Sequence, residues 1–303
     1  MKKAWSIIWK IALVCGIVGL AFTLVGLSRG WPQSVTWGSG GAQIVKNHDI
    51  ETNQTFDSFT AIDVNVSILD VSIVTGDHYG VAVHWPNTPR TVNVTNDGGT
   101  LKVSDTGPRM VMSWFGYNGG TVTITVPSQI TLDSMTATSG TGDVNASVPA
   151  KSARLTSSTG DVGLTAAADQ AQLRSSTGRV TANADIETLD ASSSTDDVAL
   201  AGQFGTITNA TSGTGNVSIS GSATSVIASS STGDVTMNLS TTWAATTYSL
   251  DTSTGRIITG GPGAPQVAGS GAGRHLSAAA SAARALTVNA SSSTGNVSLT
   301  LGS

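Results

Sequence analysis

From about residue 135 onward, apolar and polar positions alternate on either side of a recurring Thr-Gly-Asp-Val tetrad. Its second position is occupied by Gly142, Gly160, Gly178, Asp196, Gly215, Gly233, Gly255 and Gly295, at spacings of 18, 18, 18, 19, 18, 22 and 40 residues. Thr precedes this position in all eight units, and Ser stands three residues before it in seven, with Thr252 the exception. Two residues after it come Val144, Val162, Val180, Val198, Val217, Val235, Ile257 and Val297. Five residues before it come Ala137, Leu155, Leu173, Ala191, Ala210, Ala228, Leu250 and Ala290. Apolar positions two apart on each side of a turn have strand spacing, not helical spacing. Each unit is therefore a short strand, a tight corner and a second short strand. One unit cannot bury its apolar side, but units stacked at ~4.8 Å can.

The pattern predicts an all-β fold: a single-chain β-solenoid, parallel β-helix-like, with rungs of about 18 residues and regular repeats over 135–303. A chain of antiparallel hairpins is the alternative, since a two-residue turn also suits Thr-Gly. The constant period and the identity kept down whole columns favour the solenoid. The corner glycine is expected to supply a positive φ, with Asp196 tolerating the left-handed region once. The 40-residue spacing reads as about two periods with a Gly/Pro-rich insertion near Gly260 to Gly273.

Upstream, further alternation predicts strands around Ile62, Val64 and Val66; Val71 and Ile73; Val81 and Val83; Val92 and Val94; Leu101 and Val103; and Val122, Ile124 and Val126. Asp97-Gly98-Gly99 reads as a turn between two of these strands. This part is expected to form irregular first rungs that cap the stack. Residues 28–55, rich in Gly, Ser and Asn, read as a linker.

The amino terminus follows a different pattern. Ile11 to Leu27 is an uncharged apolar run of 17 residues, preceded by Lys2, Lys3 and Lys10 and flanked by Trp5, Trp9 and Trp31. A helix of that length rises about 26 Å, and the turn upstream extends it past the ~30 Å hydrocarbon core. The lysines place residues 1–10 in the cytoplasm and the rest outside. A cleaved signal peptide is the alternative, but Leu24 to Arg29 offers no A-x-A-like site. The expected organisation is a short cytoplasmic start over 1–10, a transmembrane helix core over 11–27, a linker over 28–55 and a β-strand-repeat domain over 56–303. The expected location is the cell membrane, single-pass, with the carboxy-terminal domain extracellular.

Composition narrows the partners. Charged residues are 11% of the chain, and Lys2, Lys3, Lys10 and Arg29 precede any acid. Without those four, 11 bases face 19 acids, a net charge of −8 that does not suit nucleic acid. The single cysteine, Cys15, lies in the apolar run, so no intramolecular disulfide forms.

These features together resemble a bacterial β-strand-repeat family of unknown function that carries an adhesin label. The resemblance covers about Phe56 to Ser303. It rests on Phe56-Asp57-Ser58-Phe59, Asp97-Gly98-Gly99-Thr100-Leu101, the strand ending at Val126-Pro127 and the serial Ser-Thr-Gly-Asp-Val units. It implies a β-solenoid displayed at the cell envelope, with no catalytic residues to carry over.

Candidate chemistry is sparse. The column after the corner glycine reads Asp143, Asp161, Arg179, Asp197, Asn216, Asp234, Arg256 and Asn296. As a calcium ladder it is poor, because two arginines interrupt a cation that wants six to eight oxygens. It reads instead as corner residues with mild charge alternation. Asp196/Asp197 and Asp185/Glu187/Asp190 are the nearest carboxylate groups for glycan cleavage, and adjacent strand residues point to opposite faces. His48, His78, His84 and His275 lack metal-ligand spacing, and His84 is expected to face water. No Ser-His-Asp constellation is evident, and no phosphate loop. Neither a cofactor nor a metal is expected.

The aromatic patch Arg109 to Asn118 is unusual in a chain with 5% aromatics. Met112, Trp114, Phe115 and Tyr117 form a candidate contact loop for an envelope glycan, a surface protein or the membrane; the favoured reading of the patch is a plug over the open end of the stack, because an exposed sheet edge must be covered. The expected function is a membrane-anchored, non-catalytic module for adhesion, interaction or envelope sensing. The alternative is a carbohydrate-active β-helix enzyme. Ice binding, suggested by Ser/Thr ladders, is disfavoured by outward Arg174 and Asp251 where a flat Thr array is needed.

Overall fold

The computed structural model describes residues 15–20, 33–38, 41–46, 48–88, 90–107, 111–112, 119–266, 273–280 and 286–302. The chain divides into two compact units. The smaller comprises Met1–Ile50, Trp85–Thr91 and Thr106–Asn118. It contains a three-stranded sheet in which Gln33–Gly38 pairs antiparallel with Gly41–Lys46 and with Val111–Met112. These strands, with His48–Phe56, occupy the stretch expected to be a linker over 28–55. Gly and Ser composition suggested a flexible tether there, but Val35, Ile44 and Val45 lie in a paired antiparallel ladder.

Of the expected transmembrane run 11–27, residues 15–20 are helical and exposed, and the remainder lies outside the described residues. Among the described residues no helix is long and apolar enough to cross a membrane.

The larger unit comprises Glu51–His84, Val92–Asp105 and Gly119–Ser303. It is a β-solenoid. Strands that lead into the corners form one sheet, strands that leave them form a second, and both are parallel through the repeats. In the pre-corner sheet Leu132–Ser139, Ala150–Ser157, Ala168–Ser175 and Ile186–Ser193 stack in turn, with Leu155 beside Ala137 and Leu173. In the post-corner sheet Val144–Ala146, Val162–Leu164 and Val180–Asn183 stack with Val162 between Val144 and Val180. The hairpin alternative is thereby excluded for the repeats. Upstream, the expected alternating residues are buried, except Val92 and Val94, which are half-buried.

The 19-residue spacing has a local cause. Opposite Ile227, two residues, Thr208 and Asn209, occupy the place of one, so the register shifts between Leu189 and Asp190. This is a β-bulge, which adds one residue to a strand without losing the ladder on either side.

The corner columns hold the rungs together. Each corner serine hydroxyl donates to a carbonyl of the neighbouring rung: Ser157 to Gly142 at 2.8 Å, Ser175 to Gly160 at 2.9 Å, Ser193 to Gly178 at 2.9 Å. In Ser139, Ser157, Ser175, Ser193, Ser230 and Ser292 the same oxygen accepts the N–H of its own corner, as Ser157 does from Gly160 at 2.9 Å. Thr252, the column's exception, makes the same pair of bonds, to Gly295 O and from Gly255 N. A buried hydroxyl that satisfies one donor and one acceptor per rung explains why the column keeps Ser or Thr.

The reason for glycine at the corner differs from the expectation. None of Gly142, Gly160, Gly178, Gly215, Gly233, Gly255 or Gly295 has a positive φ. A Cβ on any of them would instead come within 3.0 Å of the rung beside it; on Gly160 it would meet Asp143 Oδ1 at 2.6 Å. The close approach of stacked backbones, not a left-handed turn, requires glycine. Positive φ is found at Gly98 (58°) and Gly99 (81°), in the expected turn between Thr91–Asp97 and Thr100–Thr106.

The column after the corner is a hydrogen-bond ladder. The Asp143 N–H donates to Asp70 Oδ1 at 2.9 Å, Asp161 to Asp143 at 2.7 Å, and Arg179 to Asp161 at 2.7 Å. Further along, Asn216 N donates to Asp197 Oδ1 at 2.7 Å and Asp234 N to Asn216 Oδ1 at 2.8 Å.

Chain order and stacking order part at the ends. Leu69–Gly76 lies between Val144–Ala146 and the later strand Gly120–Pro127. Likewise Ala61–Val66 lies between Leu132–Ser139 and Thr100–Thr106. At the other end, Val297–Leu301 lies between Val235–Leu239 and Ile257–Gly260, and Leu286–Ser292 lies between Ser225–Ser230 and Thr246–Thr252. The corners therefore stack in the order Gly233, Gly295, Gly255. The 40-residue spacing is not two periods outward: the chain runs ahead by one rung, then returns to fill the gap. Arg274–Ala278, antiparallel to Thr246–Thr252, forms the outer strand of the pre-corner sheet there.

Candidate functional site

The bulge at Thr208–Asn209 organises a polar side-chain network on the stack. It sets Asn209 opposite Asp190 on the outer face of the pre-corner sheet. The Asp190 carboxylate accepts from Arg174 Nη2 at 2.8 Å, Gln172 Nε2 at 3.0 Å and Asn209 Nδ2 at 3.1 Å. Thr211 donates to Asn209 Oδ1 and lies 3.2 Å from Ser229 Oγ, which extends the network over four rungs. Burial pushes the Asp190 carboxyl up. The hydrogen bonds from Gln172, Arg174 and Asn209, with the Arg174 charge, outweigh it and hold the group below its ordinary value. Asp190 is thus an ionised acceptor already committed to three donors.

The opposite corner of the rungs forms a shallow groove of about 580 Å³, lined by Pro149, Ala167, Asp169, Asp185, Glu187 and Phe204 among others. Asp185 Oδ1 accepts the Gln203 N–H at 3.0 Å. At the carboxy-terminal end, Asp251 and His275 stand directly opposite on paired strands. His275 Nδ1 lies 2.6 Å from Asp251 Oδ1, and its Nε2 lies 3.0 Å from Ser277 Oγ. Ser249 Oγ donates to Asp251 Oδ2 at 3.1 Å.

The family model described as Toastrack DUF4097 matches residues 59–300. The chain belongs to the Toastrack DUF4097 family. The match spans the solenoid. No curated protein matches the chain in sequence. Among solved structures, a candidate adhesin from Bacteroides fragilis NCTC 9343 is 14% identical, covers 84% of this chain and 97% of its own, and has a TM-score of 0.39. A candidate adhesin from Parabacteroides distasonis ATCC 8503 is 10% identical over 84% of this chain and 98% of its own, with a TM-score of 0.39. A candidate lipid-binding protein from the same strain is 12% identical over 82% of this chain and 96% of its own, with a TM-score of 0.41.

The sequence-derived candidates divide as follows. Val111–Met112, at the base of the candidate contact loop, pairs with Gln33–Gly38, whereas Trp114, Phe115 and Tyr117 lie outside the described residues. Asp185 and Glu187 share the groove, but Asp190 belongs to the outer-face network. Asp196 and Asp197 do not form an opposed pair: Asp196 Oδ1 accepts the Asp197 N–H at 2.6 Å, and Asp197 Oδ1 accepts from Asn216. His84 is exposed, as expected.

Two arrangements were missed. The Ser277–His275–Asp251 chain corrects the reading that no such constellation exists. It joins a non-repeating strand to a repeating one, and no spacing rule connects them. With the side chains of His275 and Asp251 58% and 49% exposed, water screens the pair, and its evident role is to clasp the outer strand to its neighbour. The Gln172–Arg174–Asp190–Asn209 network could have been found by following the 18-residue period outward from the apolar columns and allowing for the 19-residue unit.

Proposed function

We propose that this chain is a non-catalytic envelope module in which the solenoid presents a flat polar face for adhesion, interaction or sensing. A helix over 11–27 anchors it with residues 1–10 in the cytoplasm and the stack outside. The observation that carries this reading is the outer-face network centred on Asp190. Fixed, partly exposed donors and acceptors at the ~4.8 Å rung spacing can meet a repeating polar ligand such as a glycan strand. The loop residues Met112, Trp114, Phe115 and Tyr117 would add an apolar contact of the kind polysaccharide binders use.

The test is binding of the chain from Gly30 onward to purified envelope fractions and a glycan array. Arg174→Ala and Trp114→Ala/Phe115→Ala variants are compared, with circular dichroism to verify folding. Loss of binding in a folded Arg174→Ala variant places the contact on the outer face; loss only in the loop variant moves it to 109–118. No binding by the folded parent overturns the recognition role. For the anchor, the full chain is expected in the membrane fraction and a chain lacking residues 1–30 in the soluble one.

Glycan cleavage is the second reading, favoured by the groove that Asp185 and Glu187 share. It requires release of reducing ends from envelope polysaccharide that Glu187→Gln abolishes.

A further inference from the structure

The ladder after the corner contains two arginines, and each sits where the ladder changes. An Asp or Asn at this position offers a side-chain oxygen to the N–H of the next rung; an Arg has donors only. Arg179 donates its own N–H to Asp161 Oδ1 but has no acceptor for the Asp197 N–H, and it reaches that rung only as a donor, Nη2 to Asp197 Oδ2 at 3.4 Å. In the next rung the acceptor for Asp197 N is Asp196, at 2.6 Å, and Asp196 is the one residue that replaces the corner glycine. The two departures from the repeat are thus one compensated pair.

Arg256 occupies the second place. Its N–H donates to Asn296 Oδ1 at 2.9 Å, and Asn296 N donates to Asp234 Oδ1 at 2.7 Å. Asn296, whose N–H donates inward and whose Oδ1 accepts from outside, is the covered rung. Arg256, which only donates, belongs to the outermost one: among the described residues, no strand pairs with the other edge of Ile257–Gly260. Stacking in chain order would reverse this. Arg256 would then lie on Asp234, and Asn296 N would face an arginine with no acceptor. A buried or half-buried N–H without a partner is costly, so the two orders differ in free energy through this one column.

We propose that the residue after each corner sets rung order. An acceptor marks a rung that can be covered, and an arginine marks the end of the stack unless the next corner supplies its own acceptor. The arrangement makes Arg256 a stop against a further rung, including one from a second copy of this chain.

Disulfide trapping in the full chain with Cys15→Ser tests the order. Thr236 and Ser298 are register partners, and Ser298 and Ile258 are partners in turn. The Thr236→Cys/Ser298→Cys pair is expected to cross-link. Thr236→Cys/Ile258→Cys is not, being two rungs apart at ~9.6 Å against the ~7 Å limit. Adding Arg256→Asn with Asn296→Arg is expected to shift the ratio of the two cross-links by tenfold or more toward 236–258. An unchanged ratio overturns the proposal.

Should that variant fail to fold, the internal pair decides. Asp196→Ala, which keeps the Cβ and removes only the acceptor, is expected to lower Tm by about 2–4 °C, and Arg179→Asn in the same chain to restore it. Absence of either the loss or the rescue overturns the proposal equally.

Discussion

The middle rungs, residues 132–239, and the last two, residues 246–301, use the same columns to opposite topological effect. In the middle, each rung stacks on the one before it in the chain, with Val162 on Val144 and Val180 on Val162. At the end, Val297 inserts between Val235 and Ile257. Periodicity specifies what a rung is, and both regions obey it. It does not specify which rung is neighbour to which, because any unit with the Ser-x-Thr-Gly pattern can lie on any other. Non-repeating features mark the end: Trp243 in a 3₁₀ turn, its Nε1 donating to Gly260 O at 3.1 Å, and the clasped strand Arg274–Ala278.

Core truncation probes this comparison most strongly. Leu299 and Leu164 occupy the same column, and both are fully buried. Leu299→Ala is expected to cost about 2–5 kcal/mol, as much as Leu164→Ala, because the last rung in sequence is an interior one in space. Chemical denaturation of both variants measures this. A cost for Leu299→Ala well below that of Leu164→Ala would place the last rung outside.

Next in size is the close approach at the corners. Gly160→Ala is expected to cost about 1–3 kcal/mol through overpacking against the Gly142–Asp143 segment. Gly98→Ala strains only a turn with nothing within 4 Å of its Cβ. Thermal unfolding of the pair separates crowding from backbone preference.

The serine ladder should respond alike in both regions. Ser175→Ala and Ser292→Ala each remove a hydroxyl that bridges two backbone groups, Gly160 O and Gly178 N in the first, Gly233 O and Gly295 N in the second. About 1–3 kcal/mol is expected for each. Unequal losses would show that the displaced rung is held differently.

The smallest effect is pH-dependent and belongs to the middle rungs alone. Because Asp190 titrates below its ordinary value of 3.8, its network contributes stability above that value and loses it as pH falls through the lowered one. The part lost is expected to be about 0.5 kcal/mol or less, since solvent screens a partly exposed pair. Comparing parent and Asp190→Asn by denaturant unfolding between pH 5 and pH 3 checks it, and parallel profiles would remove Asp190 as the cause.

Of the candidate site, only what shares the repeat could be read in advance. Arg174 is visible as an outward interruption because it lies between buried Leu173 and Ser175. Its partner Asp190 could also be named, but as a member of the wrong group, with Asp185 and Glu187. Proximity along the chain suggested that trio; the rung register separates it, turning Asp190 to the outer sheet face while Asp185 and Glu187 line the corner groove. Asn209 reaches Asp190 only through the bulge, which one-dimensional spacing registers as a single extra residue.

Repetition along the chain specifies the rung. Alternating Leu, Ala and Val columns require a two-residue strand period, and eight copies of one corner require a stack. That follows because burial and backbone pairing act on every unit alike. Tertiary structure decided what depends on a neighbour distant in the chain. The corner glycines are needed for the backbone beside them and not for φ. The aspartate column accepts the N–H of the next rung. The last rung lies inside, because an edge can be satisfied by whichever strand presents a complementary acceptor, and chain order places no bound on which strand that is.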